Sequence, residues 1–290
     1  MKRSGGPADP FWTNAPLIDE REIFTELADK SGSSLFLGRY SLSEVLAVLD
    51  KRSFLREARK RFLWPLAVKL DSSGHPLQRL QIFLREPGPE NLIVDVKLRE
   101  CDFVPRETLE GLPVLPPQKA LAFDWLTLQN PLVKFGEAFW PLPGQTRPGL
   151  RMRAKILDLF VYLARLIRKD CLLAFPAYFH NAVLFSRYFH FWNPRKEAEV
   201  LAIRGAFSHM PFRHLAWAVH LNCLRRPDGS PYEWTAEEQL HPLTRPLKEY
   251  LDSRGYRELV RAGLRGAAFT IDEAEFERRS PEIPDFCGGP

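Results

Sequence analysis

The sequence predicts a mixed α/β fold of the α+β kind, in which a largely antiparallel central sheet is flanked by helices. Segments with apolar residues at helical spacing occur beside segments in which apolar and polar residues alternate, so both element types are expected. Short turns join the early strands, which favours antiparallel pairing. Hydrophobic residues make up 45% of the 290 residues and charged residues 27%, as in ordinary folded domains.

Composition along the chain predicts three regions and a cytoplasmic protein. Residues 1–20 are rich in Gly, Pro, Asp and Asn, which favours a loosely ordered arm. A main domain is expected over 21–225 and a helical C-terminal extension over 226–290. The longest apolar run, 156–167, contains charged residues and is too short to span a bilayer, and the start of the chain lacks the apolar stretch of a secretory signal. We therefore expect no membrane association.

The first half of the main domain combines two helices with a hairpin. Ser41 followed three residues later by Glu44 is a capping-box pattern and predicts the start of a helix. A second, strongly basic helix is expected over 54–62. The apolar segments 66–70 and 80–84, separated by a turn sequence that contains Gly and Pro, predict a β-hairpin.

Further along, two strands precede two helix-containing units. Residues 92–98 alternate between apolar and polar with a period of two, which predicts a strand with one buried face. Residues 120–129 are dense in bulky apolar groups and predict another. A turn-rich loop then leads to a helix over 150–167, a short buried strand over 171–175 and a helix from His180 through Phe189. Later helices are expected over 195–207, 250–264 and 272–279.

The order of elements in the middle of the chain resembles the acetyl-CoA-binding core of the GNAT superfamily of N-acetyltransferases. Those proteins have a strand, two helices, an antiparallel meander, a cofactor loop with its helix, then a further strand and helix. The segment 145–154, QTRPGLRMRA, corresponds to the loop that presents backbone N–H groups to a pyrophosphate at a helix N-terminus. Gly149 matches the first glycine of that loop, whereas Arg151 and Arg153 replace its small residues.

The resemblance implies acetyl-CoA or another acyl-CoA as cofactor, with the pantetheine arm beside the strand that ends at Leu128 and Gln129. The implied cofactor-binding residues are Leu128, Gln129, Gln145, Gly149, Leu150, Arg151, Met152, Arg153, Ala154 and Asn181. The two arginines allow opposite interpretations. Their guanidinium groups either fill the phosphate site or donate hydrogen bonds to the phosphates.

The resemblance also implies positions for a general acid and a general base. The family's tyrosine, which protonates the departing thiolate, corresponds to Ser186, and Tyr188 two positions later is the candidate acid. His180, at the expected helix start, is the candidate base toward an incoming amine. Helix capping and local hydrogen bonding are the alternative role for His180 and for the neighbouring Asn181.

Two functions of different classes follow. The first is an acyl-CoA-dependent N-acyltransferase, in which residues 21–225 bind the acyl-CoA and the acceptor is an unknown small-molecule or peptide amine. The second is a non-catalytic interaction module of the same fold that has lost cofactor binding. A net charge of +5 spread along the chain predicts no nucleic-acid partner, and the sequence does not indicate an oligomeric state.

No metal site is predicted. His209, His214 and His220 are close in sequence, but their spacing does not place two imidazoles on one helical face with a carboxylate between them. The four cysteines are far apart and form no Cys-x-x-Cys pair. We expect the histidines to pack among aromatic side chains and the cysteines to be reduced.

Overall fold

A computed structural model of the chain describes residues 23–27, 35–74, 76–105, 111–136 and 140–283, with the backbone alone for 23–27. The arm predicted over 1–20 lies outside these residues. The strands are β1 Ile23–Leu27, β2 Leu66–Asp71, β3 Gln78–Leu84, β4 Leu92–Phe103, β5 Gln118–Leu128, β6 Cys171–Ala174, β7 His190–Phe191, β8 Leu224–Arg225, β9 Gln239–Pro242 and β10 Thr270–Ile271. The helices are α1 Leu42–Lys51, α2 Phe54–Lys60, α3 Arg153–Leu166, α4 Phe179–Phe185, α5 Pro194–Ala206, α6 Phe212–His220, α7 Arg245–Leu251, α8 Arg254–Gly266 and α9 Glu273–Arg279.

The central sheet has the strand order β1-β2-β3-β4-β5-β6-β9-β7. Neighbouring strands run antiparallel except for the pairs β1–β2 and β5–β6, which are parallel. The predicted mixed α/β fold with a mostly antiparallel sheet is therefore confirmed. Strand β9 belongs to the region 226–290 and lies between β6 and β7, so the C-terminal region completes the sheet. Strands β8 and β10 form a separate antiparallel pair.

Two local sequence signals in the first half, the capping box and the hairpin, are confirmed. The Ser41 hydroxyl accepts a hydrogen bond from the Glu44 N–H, and the Glu44 carboxylate accepts one from the Ser41 N–H at 2.8 Å, which completes the capping box. The hairpin pairs Leu66 with Leu84. These patterns act between residues close in sequence, so they determine the local fold without distant contacts.

The sheet separates two main apolar cores. On one face, Val94, Val96 and Leu98 pack with residues of α1, α2 and α3. On the other face, Ala120 and Ala122 of β5 pack with residues that include Trp192 and Tyr250. A third cluster joins α4, α5 and α6 to the segment that contains Tyr232. The period of two predicted for 92–98 matches the burial of Val94, Val96 and Leu98, but the expectation of a single buried face is wrong, because Ile93 and Asp95 of β4 are also buried.

Two predicted helices differ from the structure. Helix α4 ends at Phe185 instead of continuing through Phe189, because the chain then turns into β7, which pairs with β9. The helix predicted over 250–264 is divided into α7 and α8. The Ser253 side chain accepts a hydrogen bond from the Tyr256 N–H at 3.2 Å and begins a new helix at that point.

Two further properties concern the described residues as a whole. None of the helices within the described ranges combines the length with the apolar character that crossing a bilayer requires. Cys101, Cys171 and Cys223 are free thiols, and burial raises the pKa of Cys171 to about 12. Cys171 is therefore protonated at neutral pH and packs as a small apolar side chain.

Candidate functional site

The pairing of β5 with β6 ends beside a bulge in β5. The two strands pair in parallel from Ala120 to Phe123, opposite Cys171 to Ala174. In the pairing with β4, Leu98 lies opposite Phe123 and Lys97 opposite Trp125, so Asp124 is the additional residue of a β-bulge. Beyond this bulge β5 continues to Leu128, whereas β6 has ended. We call the side of β5 left without a β6 partner beyond Phe123 the β5–β6 cleft; bulges bend strands and interrupt pairing in this way.

Backbone groups of β5 line this cleft. The Gln129 N–H donates to the Ile93 carbonyl on the β4 side at 2.9 Å, and the Leu128 carbonyl on the opposite side accepts from the Leu150 N–H at 3.3 Å. Alternate residues of a strand direct their N–H and C=O to the same side. Leu126 therefore directs both of its groups to the side of Leu128, towards the cleft.

The loop before α3 is attached to the end of β5. Gly149 forms an isolated bridge with Gln129, and the Asn130 N–H donates to the Pro148 carbonyl at 2.8 Å. Leu150 and Met152 are 2% and 3% exposed and anchor the loop in the core. These contacts bring together four of the predicted cofactor-binding residues: Leu128, Gln129, Gly149 and Leu150.

Helix α3 begins at the surface with unsatisfied amide groups. Its N-cap, Met152, provides no side-chain hydrogen bond, and its first turn contains no acidic residue. The first N–H groups of a helix have no partner within the helix and carry a partial positive charge. Arg151, Arg153 and Ala154 are all exposed there. The backbone of Arg151 is left-handed, with φ 55°, which turns the chain between the two buried anchors.

Helix α6 holds the beginning of the same loop. Trp217 of α6 donates from Nε1 to the Pro141 carbonyl at 2.8 Å, and Arg213 donates to the Trp140 carbonyl. Gln145 closes the turn, because its side-chain oxygen accepts from the Leu142 N–H at 3.1 Å. The predicted cofactor residue Gln145 thus has a structural contact within the loop itself.

Tyr178 packs directly on this loop, a contact that the sequence did not indicate. Gly144 has φ 73°, and a Cβ atom added there would lie 2.7 Å from the Tyr178 hydroxyl. The Tyr178 ring stacks on His180 with centroids 5.3 Å apart and lies 5.5 Å from the ring of His220. No sequence pattern links Gly144 to Tyr178, because their contact depends on how α4 packs against the loop.

His180, the predicted base, is a buried and neutral imidazole. It is 3% exposed, and its Nδ1 has no hydrogen-bond partner among the described residues. Burial, with smaller contributions from His220 and Arg213, lowers its pKa from 6.5 to about 4. At neutral pH this side chain can accept a proton, but it does so weakly.

The other predicted catalytic positions lie in the turn after α4. The Ser186 hydroxyl donates to the Val183 carbonyl at 2.9 Å, so it closes the helix. Tyr188 lies beyond the helix and is partly buried against the main core, and its backbone carbonyl hydrogen bonds with His241 Nδ1 at 2.7 Å. Asn181 is in the first turn of α4, where its N–H donates to the Tyr178 carbonyl at 3.0 Å. Tyr178 links His180 and Asn181 to the loop, whereas Tyr188 lies in a separate turn.

Neither metal ligation nor a known relative adds to this site. Within the part of the chain that the structure describes, no group of three or more His, Cys, Asp and Glu side chains is arranged to hold a metal ion. His214 instead stacks on Phe276, and His220 packs edge-on against Trp217. Compared with the known protein families and with curated proteins, the chain matches none of them.

Proposed function

We propose that the protein binds an acyl-CoA in the β5–β6 cleft and transfers the acyl group to an amine. One observation carries the proposal: the pairing of β5 with β6 stops at the bulge at Asp124, and the loop leading to α3 is attached to the end of β5 beyond it. Acyl-CoA combines phosphates with an arm that contains two amides. The cleft offers groups that match both parts.

In this proposal the phosphates bind at the N-terminus of α3, close to the basic residues around it. Arg147, Arg151, Arg153 and Lys155 form no ion pair with an acidic side chain among the described residues. A helix N-terminus favours anions, and guanidinium groups donate planar, paired hydrogen bonds to phosphate. The exposed positions of Arg151 and Arg153 favour the interpretation in which they donate to phosphates.

The arm that contains the amides is proposed to bind along the free edge of β5. The N–H and C=O of Leu126 face the cleft, and an extended ligand with amides can hydrogen bond to such an edge as an added strand does. Leu126 and Leu128 are partly buried against the main core and provide an apolar base. This edge, rather than any one side chain, distinguishes an acyl-CoA from a simple phosphate.

The order of elements gives additional support. Strand β1, helices α1 and α2, the meander β2 to β5, the loop with α3, then β6 and α4 follow one another in the chain. This is the order that the resemblance to the GNAT superfamily implies. The agreement extends beyond the loop sequence, in which Arg151 and Arg153 differ from the family.

The transfer requires a base, an acid and a positioned amine. The amine nitrogen attacks the thioester carbonyl, a C–N bond forms, the C–S bond breaks, and the thiolate accepts a proton. His180 is our candidate for taking the proton of the amine and Tyr188 for protonating the thiolate. Neither side chain has a neighbour that would activate it among the described residues. The His180 Nδ1 has no hydrogen-bond partner and the pKa of His180 is lowered, and the Tyr188 hydroxyl forms no hydrogen bond with a described residue.

The lowered pKa of His180 and the lack of a described hydrogen-bond partner for the Tyr188 hydroxyl favour a second candidate function. Ser186 corresponds to the family's acid, and its hydroxyl is used to close α4. A protein that binds an acyl-CoA, or only a partner, without transferring the acyl group is consistent with that arrangement. Binding and turnover therefore have to be measured separately.

Binding is tested by thermal unfolding in the presence of acetyl-CoA and longer acyl-CoAs. A ligand that binds only the folded state stabilises it by about 2.7 kcal/mol at a hundred times its Kd, which raises Tm. We expect this shift to disappear in Arg151→Glu. The matched control is Arg265→Glu on α8, because this arginine is also exposed and without a described ion pair. No shift with any CoA ester would contradict acyl-CoA binding.

Turnover is tested by following free CoA thiol with a panel of amines. We expect Tyr188→Phe to slow thiol release by at least tenfold without changing the Tm shift, because only the proton donor is removed. Binding of CoA esters without thiol release for any amine would favour the non-catalytic function. Unchanged release in the variant would remove Tyr188 as the acid.

A further inference from the structure

The basic helix α2 has no part in the proposed acyl-CoA site. Residues 51–61, KRSFLREARKR, contain six basic residues and one acidic residue. Two carboxylates border this segment: Asp50 precedes it, and Asp158 of α3 lies 3.9 Å from the Arg52 guanidinium. Six cations against three anions leave three net positive charges here. The positive charge of the chain is therefore partly concentrated at this surface instead of being spread evenly.

Two of these cations face the solvent. The Glu57 carboxylate accepts from Arg61 at 2.6 Å and from Lys60 at 3.2 Å, so two cations share one anion. Arg56 is exposed and donates to the Ser53 hydroxyl at 3.0 Å. Arg56 and the exposed Lys60 are four residues apart, which places them on the same side of the helix. Basic residues near a helix C-terminus are also favoured by the helix dipole, so their charge alone does not indicate a ligand.

The residue that ends α2 is unusual for its position. The Leu63 N–H donates to the Ala58 carbonyl at 3.0 Å and the Phe62 N–H to the Arg59 carbonyl at 2.9 Å, which is the hydrogen-bond pattern of a Schellman motif. Phe62 occupies the left-handed position of this motif, with φ 60°. Glycine is the usual residue there, because a side chain strains the left-handed backbone.

The Phe62 side chain is 83% exposed, the largest exposure among the described large apolar residues. The buried Leu63 and Ala58 supply the apolar contact of the helix end, so the motif does not need the Phe62 ring. Neither the helix end nor the described core therefore accounts for an aromatic side chain at this position. An open aromatic ring next to a cluster of cations is a property of the surface.

We propose that this surface binds single-stranded nucleic acid, with a base stacked on Phe62 and phosphates bound by Arg56 and Lys60. Proteins that bind single strands combine cations along the backbone with aromatic rings on which bases stack. Lysine is depleted in the cores of protein interfaces, and one ring offers little apolar area for insertion into a membrane. These contacts involve base faces and phosphates, so they apply to DNA and to RNA.

The experiment is fluorescence anisotropy of a labelled oligodeoxynucleotide of about 12 nucleotides, a length in the range of known single-strand sites. An abasic oligonucleotide of the same length keeps the phosphates and lacks the bases. We expect the full chain to bind the normal oligonucleotide about tenfold more tightly than the abasic one. Absence of binding at low salt would overturn the proposal, and equal affinities would overturn the stacked base.

The variant Phe62→Gly separates binding from folding. Glycine suits the left-handed backbone, so we expect the variant to have a Tm at least as high as that of the unaltered protein. It should bind the normal oligonucleotide about tenfold more weakly and the abasic one equally well. Leu264→Ala on α8, where Leu264 is 38% exposed, is the apolar control and should bind normally. Unchanged affinity in Phe62→Gly would remove the ring from the site.

The cations are tested by the salt dependence of binding. Each phosphate contact on a single strand contributes about 0.7 to the slope of log K against log salt concentration. We expect Arg56→Gln/Lys60→Gln to reduce this slope by about 1.4, whereas Phe62→Gly should leave it unchanged. Arg265→Gln on α8 is the control for loss of an exposed cation. A slope equal to that of the unaltered protein in the double variant would overturn the phosphate contacts.

Other partners give different results. Binding to vesicles that contain phosphatidylserine, without binding to the oligonucleotide, would identify a membrane contact and overturn the proposal. Arg151→Glu, at the proposed acyl-CoA site, should bind the oligonucleotide as the unaltered protein does. Loss of binding in Arg151→Glu but not in Phe62→Gly would place the oligonucleotide at α3 and overturn the assignment to α2. The acyl-CoA titration is a separate measurement, so either proposal can fail without the other.

Discussion

At the scale of single residues, burial changes the chemistry that sequence alone suggests. A histidine at a helix start next to Asn181 indicates a general base, yet His180 is enclosed between Tyr178 and α6 and has a lowered pKa. Burial disfavours the charged imidazolium because the surrounding side chains solvate it less well than water. His180 therefore contributes a pH dependence to folding as well as a candidate catalytic group.

We predict that His180 makes the fold less stable in mild acid. The unfolded chain takes up the His180 proton near pH 6.5, whereas the folded chain does so only near pH 4. Between these values the unfolded state binds more protons, so stability is complete above pH 6.5 and decreases as the pH falls to 4, by on the order of 3 kcal/mol. Urea unfolding of His180→Phe across this range should lack that component. Equal pH dependence in both proteins would contradict the prediction.

At the scale of elements, the loop before α3 is held by residues from three parts of the chain. Its end is attached to β5 through Gly149 and Gln129, and its beginning is attached to α6 through Trp217. Gly144 is required for two reasons, a left-handed backbone and the close approach of Tyr178. Preorganisation of this loop keeps the N-terminus of α3 accessible.

We predict that Gly144→Ala disturbs the loop more than its backbone conformation alone requires. A Cβ at this position meets the Tyr178 ring and hydroxyl at 2.7 to 2.9 Å. Gly229→Ala is the matched control, because Gly229 has a similar φ of 81° but no atom within 4 Å of an added Cβ. We expect Gly229→Ala to cost about 1 kcal/mol and Gly144→Ala about 2 to 3 kcal/mol in urea unfolding. Equal costs would show that Tyr178 yields without penalty.

At the scale of the whole molecule, the C-terminal region is joined to the rest through the sheet and through contacts of Tyr232 and Trp234 with an ion pair of α5. Strand β9 lies between β6 and β7. Lys196 of α5 is 4% exposed, contacts Glu199 at 2.6 Å and lies 4.3 Å from the Trp234 ring centroid. The Glu199 carboxylate also accepts from the Tyr232 hydroxyl at 2.6 Å. These contacts fix the segment that leads into β9.

We predict that this ion pair is sensitive to removal of one partner. Lys196→Met removes the nearer of two cations from the largely enclosed Glu199 carboxylate, and should cost about 2 to 3 kcal/mol, less than for a fully buried pair because Glu199 retains some exposure and Arg226 lies 3.7 Å away. Arg245→Met removes an exposed pair with Glu249 and should cost less than about 1 kcal/mol. Chemical unfolding measures both. In Lys196→Met/Glu199→Gln part of the loss should be recovered, and no recovery would contradict an electrostatic origin.

The sequence by itself determined those features of the fold that depend on interactions between neighbouring residues. The capping box at Ser41, the hairpin of β2 and β3 and the order of elements from β2 to α4 follow from patterns within a few turns of the chain, because those interactions are local. Of the candidate site, the loop at Gly149 was found in this way, through its resemblance to a known loop. Its assignment to an acyl-CoA stays a prediction.

Tertiary structure alone decided what depends on contacts between distant residues. The bulge at Asp124, the contact of Tyr178 with Gly144 and the burial of His180 each require strands and helices that are far apart in the chain to meet. The insertion of β9 beside β6 has the same origin, and it shortened α4 by drawing the following residues into β7. A local pattern contains no information about which surface will cover it, so burial, pKa and the open cleft are properties of the folded whole.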